Sequence, residues 1–188
     1  MSLQGEPVNP QLIISSTDQD FSYWLSRPYS NPELRDRSRR PDVLIVPSEN
    51  APGHNGPAFS SETPELFEFL RSGAPSGIDV EVPVTDEEYR EVVLHGILLV
   101  LGCFVVTSIA APVIAQLIAN YIQKRIGEKE KDATVRFQMT VVEPDGTAKK
   151  LEYQGPASLF EQKVLVHIKA KYLPGCERQP QNDHADNA

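Results

Sequence analysis

Gly96-Ile-Leu-Leu-Val-Leu-Gly-Cys-Phe-Val-Val-Thr-Ser-Ile-Ala-Ala-Pro-Val-Ile-Ala-Gln-Leu-Ile-Ala-Asn-Tyr-Ile122 runs for 27 residues without one charged side chain. Nothing else in the 188 residues is like it. As a helix it would be a rod of about 40 Å, rising about 1.5 Å per residue. A bilayer core of about 30 Å needs about 20 apolar residues. The segment 96–114 alone meets that length, and its first eleven residues have no polar face of the kind a surface helix keeps. The stretch therefore predicts a single transmembrane helix. The alternative is a central helix buried inside a soluble domain.

Working outward, the polar exceptions in the stretch are ordered. Ser108, Pro112, Gln116 and Asn120 recur every four residues and share one helix stripe. Thr107, Ala111, Ala115 and Ala119 form the stripe beside it. In lipid, small residues at this spacing let backbones approach, and Gln or Asn amides bond across the contact. Thr107, Ser108, Ala111, Ala115, Gln116, Ala119 and Asn120 are thus the candidate interface, with a homo-oligomer or another membrane or effector protein as partner. The other reading is that Gln116 and Asn120 merely approach the membrane interface. Pro112 predicts a kink, because it lacks an amide hydrogen and presses on the carbonyl of Ser108.

Upstream, Thr85-Asp86-Glu87-Glu88 has the form of a capping box and predicts that the long helix starts there, reaching Arg125 with Gly127 as its end. Lys124, Arg125, Lys129 and Lys131 follow the span, whereas Arg90 is the one base close before it. The positive-inside rule then places the C-terminal side in the cytoplasm. MSLQGEPVNP, with no basic region and no early apolar run, predicts no secretory signal.

Before the span, Gln11–Ser15 reads as a short strand. Residues 20–28 hold Phe21, Tyr23, Trp24 and Leu25 and read as a short aromatic helix. Asn31-Pro32 opens another helix. Arg35, Arg37, Arg39 and Arg40 cluster there, readable as a phosphate or acidic-lipid contact or as a solvated helix face offset by Glu33 and Asp36. Val43–Val46 is a buried strand by its continuous apolar character. The loop after it carries Ser48, Glu49 and His54, at a place where α/β folds put ligands; a plain exposed loop is the competing reading. Thr63-Pro64-Glu65 starts a helix to about Arg71, and Ile78–Val84 alternates as an edge strand ending at Pro83.

After the span, Thr134–Val142 alternates cleanly, with Val135, Phe137, Met139 and Val141 on one face and Thr134, Arg136, Gln138 and Thr140 on the other. Glu143-Pro144-Asp145-Gly146 is a tight turn, and the return strand carries Leu151 and Tyr153. Residues 157–172 fit either a helix or a third strand, with LFEQK favouring helix. Residues 174–188 lack an apolar anchor and predict disorder.

The fold class expected is α+β: a small N-terminal α/β region (1–84), one long helix (85–126) with its apolar span at 96–122, a β-hairpin plus helix (127–173) and a disordered tail. A net charge of −8 argues against nucleic acid as partner. Cys103 and Cys176 allow at most one disulfide and no metal cluster. His54, His95, His167 and His184 are scattered, and no Walker loop, HExxH, paired CxxC or GxSxG occurs. The expectation is a non-catalytic protein with no cofactor.

Residues 97–172, with the hairpin pattern T-V-x-F, P-D-G, K-L-x-Y and a terminal amphipathic helix, resemble the effector-associated constant component family of bacterial conflict systems. Trp24-Leu25 and Asn31 to Arg35 resemble that family's early part. The resemblance implies an adaptor module beside effectors, supplies no catalytic residues, and favours the alternative of a soluble adaptor or binding domain whose apolar helix is core.

Overall fold

The computed structural model describes residues 9–49, 56–92, 98–126 and 133–173. Eight strands and five α-helices occur among them: β1 (Gln11–Thr17), α1 (Phe21–Leu25), α2 (Pro32–Arg35), β2 (Val43–Val46), β3 (Phe59–Ser60), α3 (Thr63–Gly73), β4 (Val80–Glu81), β5 (Glu91–Val92), β6 (Leu98–Thr107), α4 (Ala111–Ile126), β7 (Thr134–Val142), β8 (Ala148–Pro156) and α5 (Val166–Tyr172). A 3₁₀ turn (Ala157–Leu159) and a π turn (Glu161–Leu165) lead into α5. Six strands form one mixed sheet, in the order β1-β8-β7-β6-β2-β4; β3 and β5 make a small parallel ribbon.

The 27-residue stretch is not one helix. Its first part is strand β6, parallel to β7 on one side and antiparallel to β2 on the other. Its second part, after the turn at Ser108–Ala110, is α4. No helix among the described residues is long and apolar enough to cross a membrane. The single-pass membrane reading, with its cytoplasmic C-terminal side and its lipid-embedded interface, is therefore corrected. The physical reason lies in burial on both sides of a central strand. Phe104 and Val106 face the helices, while Val105 lies under Phe21 and Trp24 of α1. A strand covered on both faces reads as a continuous apolar run, and the helix that follows packs its own apolar side onto the same sheet.

The other features of the long-helix reading fall with it. Thr85–Glu88 closes a single turn, Glu88 N–H donating to Thr85 O at 3.1 Å, and the chain then enters β5. Pro112 is the second residue of α4, where the missing N–H has no intrahelical partner to lose, so it starts a helix and kinks none. Thr107 Oγ1 accepts the Ala110 N–H at 3.3 Å and Ala110 O receives Ile114 N–H at 3.0 Å, closing the entry. Arg125, read as a topology signal, sits in the last turn of α4 and bonds Glu62 through Nε (3.0 Å) and Nη2 (2.8 Å). Gly127 and the tail from 174 onward lie outside the described residues.

Elsewhere the local patterns hold. Asp20 Oδ1 caps α1, and Asn31 Oδ1 caps α2. Val43–Val46 are all buried. The β7–β8 hairpin pairs without a slip from Thr134↔Pro156 to Val142↔Ala148, and residues 157–172 are helical throughout apart from Phe160 between the turns. Two details shift. The N-cap of α3 is Glu62, one residue before Thr63, and the Ile78–Val84 strand shrinks to Val80–Glu81, parallel to β2 at the sheet edge.

The helices α3, α4 and α5 cover one face of the sheet, and the core lies between. There Phe137, Tyr153 and Phe160 meet edge to face at 5.3 and 5.6 Å. Between Val100 and Cys103 the β6–β7 register shifts: Val100 pairs with Arg136 and Cys103 with Gln138. Strict alternation back from Phe104 would point Leu101 away from the helices. The extra residue of this bulge returns it to the core, where it is 0% exposed. Gly102 carries the bend at φ +88°.

Two outcomes test this packing. Gly102→Ala meets nothing nearer than Thr63 Oγ1 at 4.0 Å, so its cost is backbone strain of about 1–2 kcal/mol, read as a lower urea midpoint. Ala115 is 0% exposed within the core; Ala115→Ile overpacks it and should lower stability by about 1–3 kcal/mol, read by the same titration.

Candidate functional site: a polar cleft on the open half of the sheet

The face of the sheet opposite the helices is only half covered. α1 and its aromatics sit on Leu44, Val46, Val105, Val142 and Ala148. The remainder carries polar side chains that the register sets in rows. Gln11, Gln154 and Arg136 form one row, and Ile13, Glu152, Gln138 and Cys103 the next. Above them the β3–β5 ribbon makes a wall. It is held by the Ser48–Ala58 bridge, bonded both ways at 2.8 and 3.0 Å, and by Ser60 Oγ donating to Val100 O at 2.6 Å. Phe59 stacks on Tyr89 at 4.8 Å. The result is a cleft of about 460 Å³, floored by the two polar rows and walled by Ala58, Phe59, Ser60 and Val92. That volume falls in the range of about 300–1,000 Å³ usual for small-ligand sites.

Arg136 is exposed on the floor and donates through Nη2 to Gln154 Oε1 at 3.2 Å. It forms no ion pair among the described residues; Glu152, one row away, pairs with Lys150 at 3.3 Å. Thr63 is 1% exposed at the cleft lining, with the Tyr89 hydroxyl as its neighbour. Cys103 also lines the floor. Burial pushes its thiol up to about 12, so the sulfur is protonated at neutral pH and is a weak nucleophile.

The structure disperses the residues singled out from sequence. Ala111, Ala115 and Ala119 are buried in the molecule's own core, between the helices and the sheet. Gln116 Oε1 accepts from Lys169 Nζ of α5 at 2.6 Å, and Gln116 Nε2 donates to Asn120 Oδ1 at 3.1 Å. Both amides thus serve an intrachain helix contact. Thr107 and Ser108 close the turn into α4, with Ser108 N–H donating to Val142 O. The arginine cluster is engaged locally: Arg37 with Glu81 (2.8 Å) and Asp79, Arg39 with Asp42 (3.1 Å), Arg40 over the Phe21 ring.

Ser48 is fixed by its backbone bridge, and His54 lies outside the described residues. Glu49 is engaged by α1 and the segment after it. It accepts from Tyr23 OH (2.9 Å), Tyr29 OH (2.9 Å) and Arg27 Nε (2.7 Å), while the Arg27 guanidinium lies 4.3 Å over the Tyr23 ring. Partial burial pushes the Glu49 carboxyl up, but the bonds from Arg27, Tyr29 and Tyr23 outweigh it and hold it below its ordinary value. This cluster fastens the end of β2 to α1, and it is structural. No group of three His, Cys, Asp or Glu among the described residues could hold a metal ion.

Reading the sequence did not assemble the cleft. The polar alternation of Thr134–Thr140 was visible, but it looks the same on a solvated face; only the addition of β1 to β8 and the return of the ribbon turn it into a floor. Comparison with protein families, curated proteins and solved structures finds no match to this chain.

The Glu49 cluster makes a pH-dependent contribution. A carboxyl lowered on folding stabilises fully above its unfolded value and loses that contribution as pH falls through the folded one. Glu49→Gln should cost about 1–2 kcal/mol at neutral pH, and the gap to wild type should narrow in acid. Paired urea titrations from neutral to acid pH check both; a constant gap would contradict the assignment.

Proposed function

We propose that the chain is a non-catalytic binding module and that its ligand is an acidic peptide segment seated in the cleft. The observation that carries this reading is Arg136: an exposed guanidinium on the floor of a cleft, with no carboxylate paired to it among the described residues. Its planar fork suits a ligand carboxylate, which it can hold in two parallel hydrogen bonds. The row amides of Gln11, Gln138 and Gln154 offer both donors and acceptors to a peptide backbone, and Phe59 and Val92 on the wall and Ile13 on the floor offer apolar contact.

The non-catalytic part rests on how the reactive groups are used. Glu49 is committed to three hydrogen bonds, and the Cys103 thiol stays protonated. The resemblance to the effector-associated family adds a role to this reading: the acidic segment would belong to an effector protein for which the module is an adaptor.

A peptide array carrying acidic hexapeptides and their amide counterparts tests the proposal. Wild type should retain a subset of the acidic peptides and none of the amide forms. Arg136→Gln should weaken that subset at least about tenfold through loss of the charge-assisted pair, with an unchanged melting temperature. Equal retention by wild type and variant would remove Arg136 from the site.

A further inference from the structure

We propose that two copies of this chain pair through β1, edge to edge and antiparallel about Ile13, to make one continuous sheet. The two edges of the sheet are unlike. At one, β4 has two residues, is followed by Pro83, and carries Glu81 paired with Arg37; short length, proline and charge are the devices that blunt an edge. At the other, β1 has seven residues with neither charge nor proline within it, Pro10 standing just ahead of its first residue. It pairs β8 without a slip from Gln11↔Gln154 to Thr17↔Ala148, and its outer side meets no strand among the described residues. Ile13 and Ile14 on it are 53% and 42% exposed. Such an edge is a template for another strand.

The pattern of β1 names the occupant. Gln11-Leu12-Ile13-Ile14-Ser15 reads polar, apolar, apolar, apolar, polar in both directions from Ile13. Antiparallel pairing about that residue sets Ile13 against the second copy's Ile13, Leu12 against Ile14, and Gln11 against Ser15. Residues directly opposite share a face. On the helix-covered face the pair is therefore Leu12 with Ile14, and on the polar face Ile13 with itself, flanked by Gln11 with Ser15. Each apolar side chain meets an apolar one, each polar a polar one, and no charge is buried. A two-fold axis through Ile13 meets the demand that an isologous contact be self-complementary. Because Gln11 and Ile13 also line the cleft, the second copy's Ile13 and Ser15 would extend the floor across the axis. The pairing itself does not depend on what the cleft binds.

Sedimentation velocity of the full chain over a concentration series should show reversible dimerisation. Ile13→Lys, which sets two like charges on the axis of an exposed site, should weaken the dimer at least about tenfold, while Ile109→Lys, at an 83% exposed position outside the sheet, and Arg136→Gln should leave it unchanged. Register is tested separately by oxidation: Ile13→Cys should cross-link two chains beyond the wild-type background, and Ile14→Cys, opposite Leu12, should not. A wild-type chain monomeric throughout the series, a dimer that Ile13→Lys leaves intact, or equal cross-linking of both cysteine variants would each overturn the proposal.

Discussion

The fold depends on one pairing, the parallel contact of β6 with β7. Parallel neighbours cannot be joined by a tight turn; the chain must travel back along the sheet, and a helix is the usual means. α4 is that helix. From this follows the chemistry of the whole 27-residue stretch. β6 lies between β2 and β7, so Cys103–Val106 are paired on both sides, and Phe104, Val105 and Val106 are buried on its two faces. α4 packs on the same sheet and buries Ile114, Ala115, Ile118, Ala119 and Ile122. Charge is excluded from the strand by its position and from the inner side of the helix by its contact.

That constraint explains what was legible and what was not. Hairpin β7–β8, strand β2 and the cap at Asn31 could be read because each signal is local: alternation, an unbroken apolar run, or an oxygen reaching a backbone amide a few residues on. The long stretch could not, because periodicity does not separate a doubly buried strand from a buried helix. The signals that would have separated them were present. Val105, Val106 and Thr107 are β-branched and favour a strand, Gly102 interrupts any helix, and Thr107 followed by Pro112 marks a helix start. Length outweighs them: 27 uncharged residues match a bilayer span. Small residues at four-residue spacing indicate close approach of a helix to something, and here Ala111, Ala115 and Ala119 lie in the chain's own core.

Two carboxylates then tie the layers together from opposite sides. Glu62, at the start of α3, receives Arg125 in two bonds and Tyr121 OH at 3.1 Å from the end of α4. Glu49, after β2, receives Arg27, Tyr23 and Tyr29 around α1. Each is a carboxylate near an element end, held by one arginine and tyrosine hydroxyls. Pairs so exposed contribute modestly alone, and their value is in geometry. Glu62 fixes the crossing of α3 and α4 over the sheet, and Glu49 fixes how far α1 extends over the other face.

The extent of α1 decides which part of the sheet can act. It has five residues and reaches only the Leu44, Val46, Val105 patch. The sheet runs on past it through β7, β8 and β1, and there the outward positions change from Val105 and Val142 to Gln138, Arg136, Gln154 and Gln11. The change coincides with the bulge at Gly102, which lies at the same end of β6. Without the extra residue there, Leu101 would project onto the polar floor and join it to the apolar patch under α1. With it, Leu101 returns to the core and the floor keeps its amides and its guanidinium facing open space. One backbone irregularity thus separates a face that is packed from a face that is available, and it does so by moving a single leucine from one side of the sheet to the other.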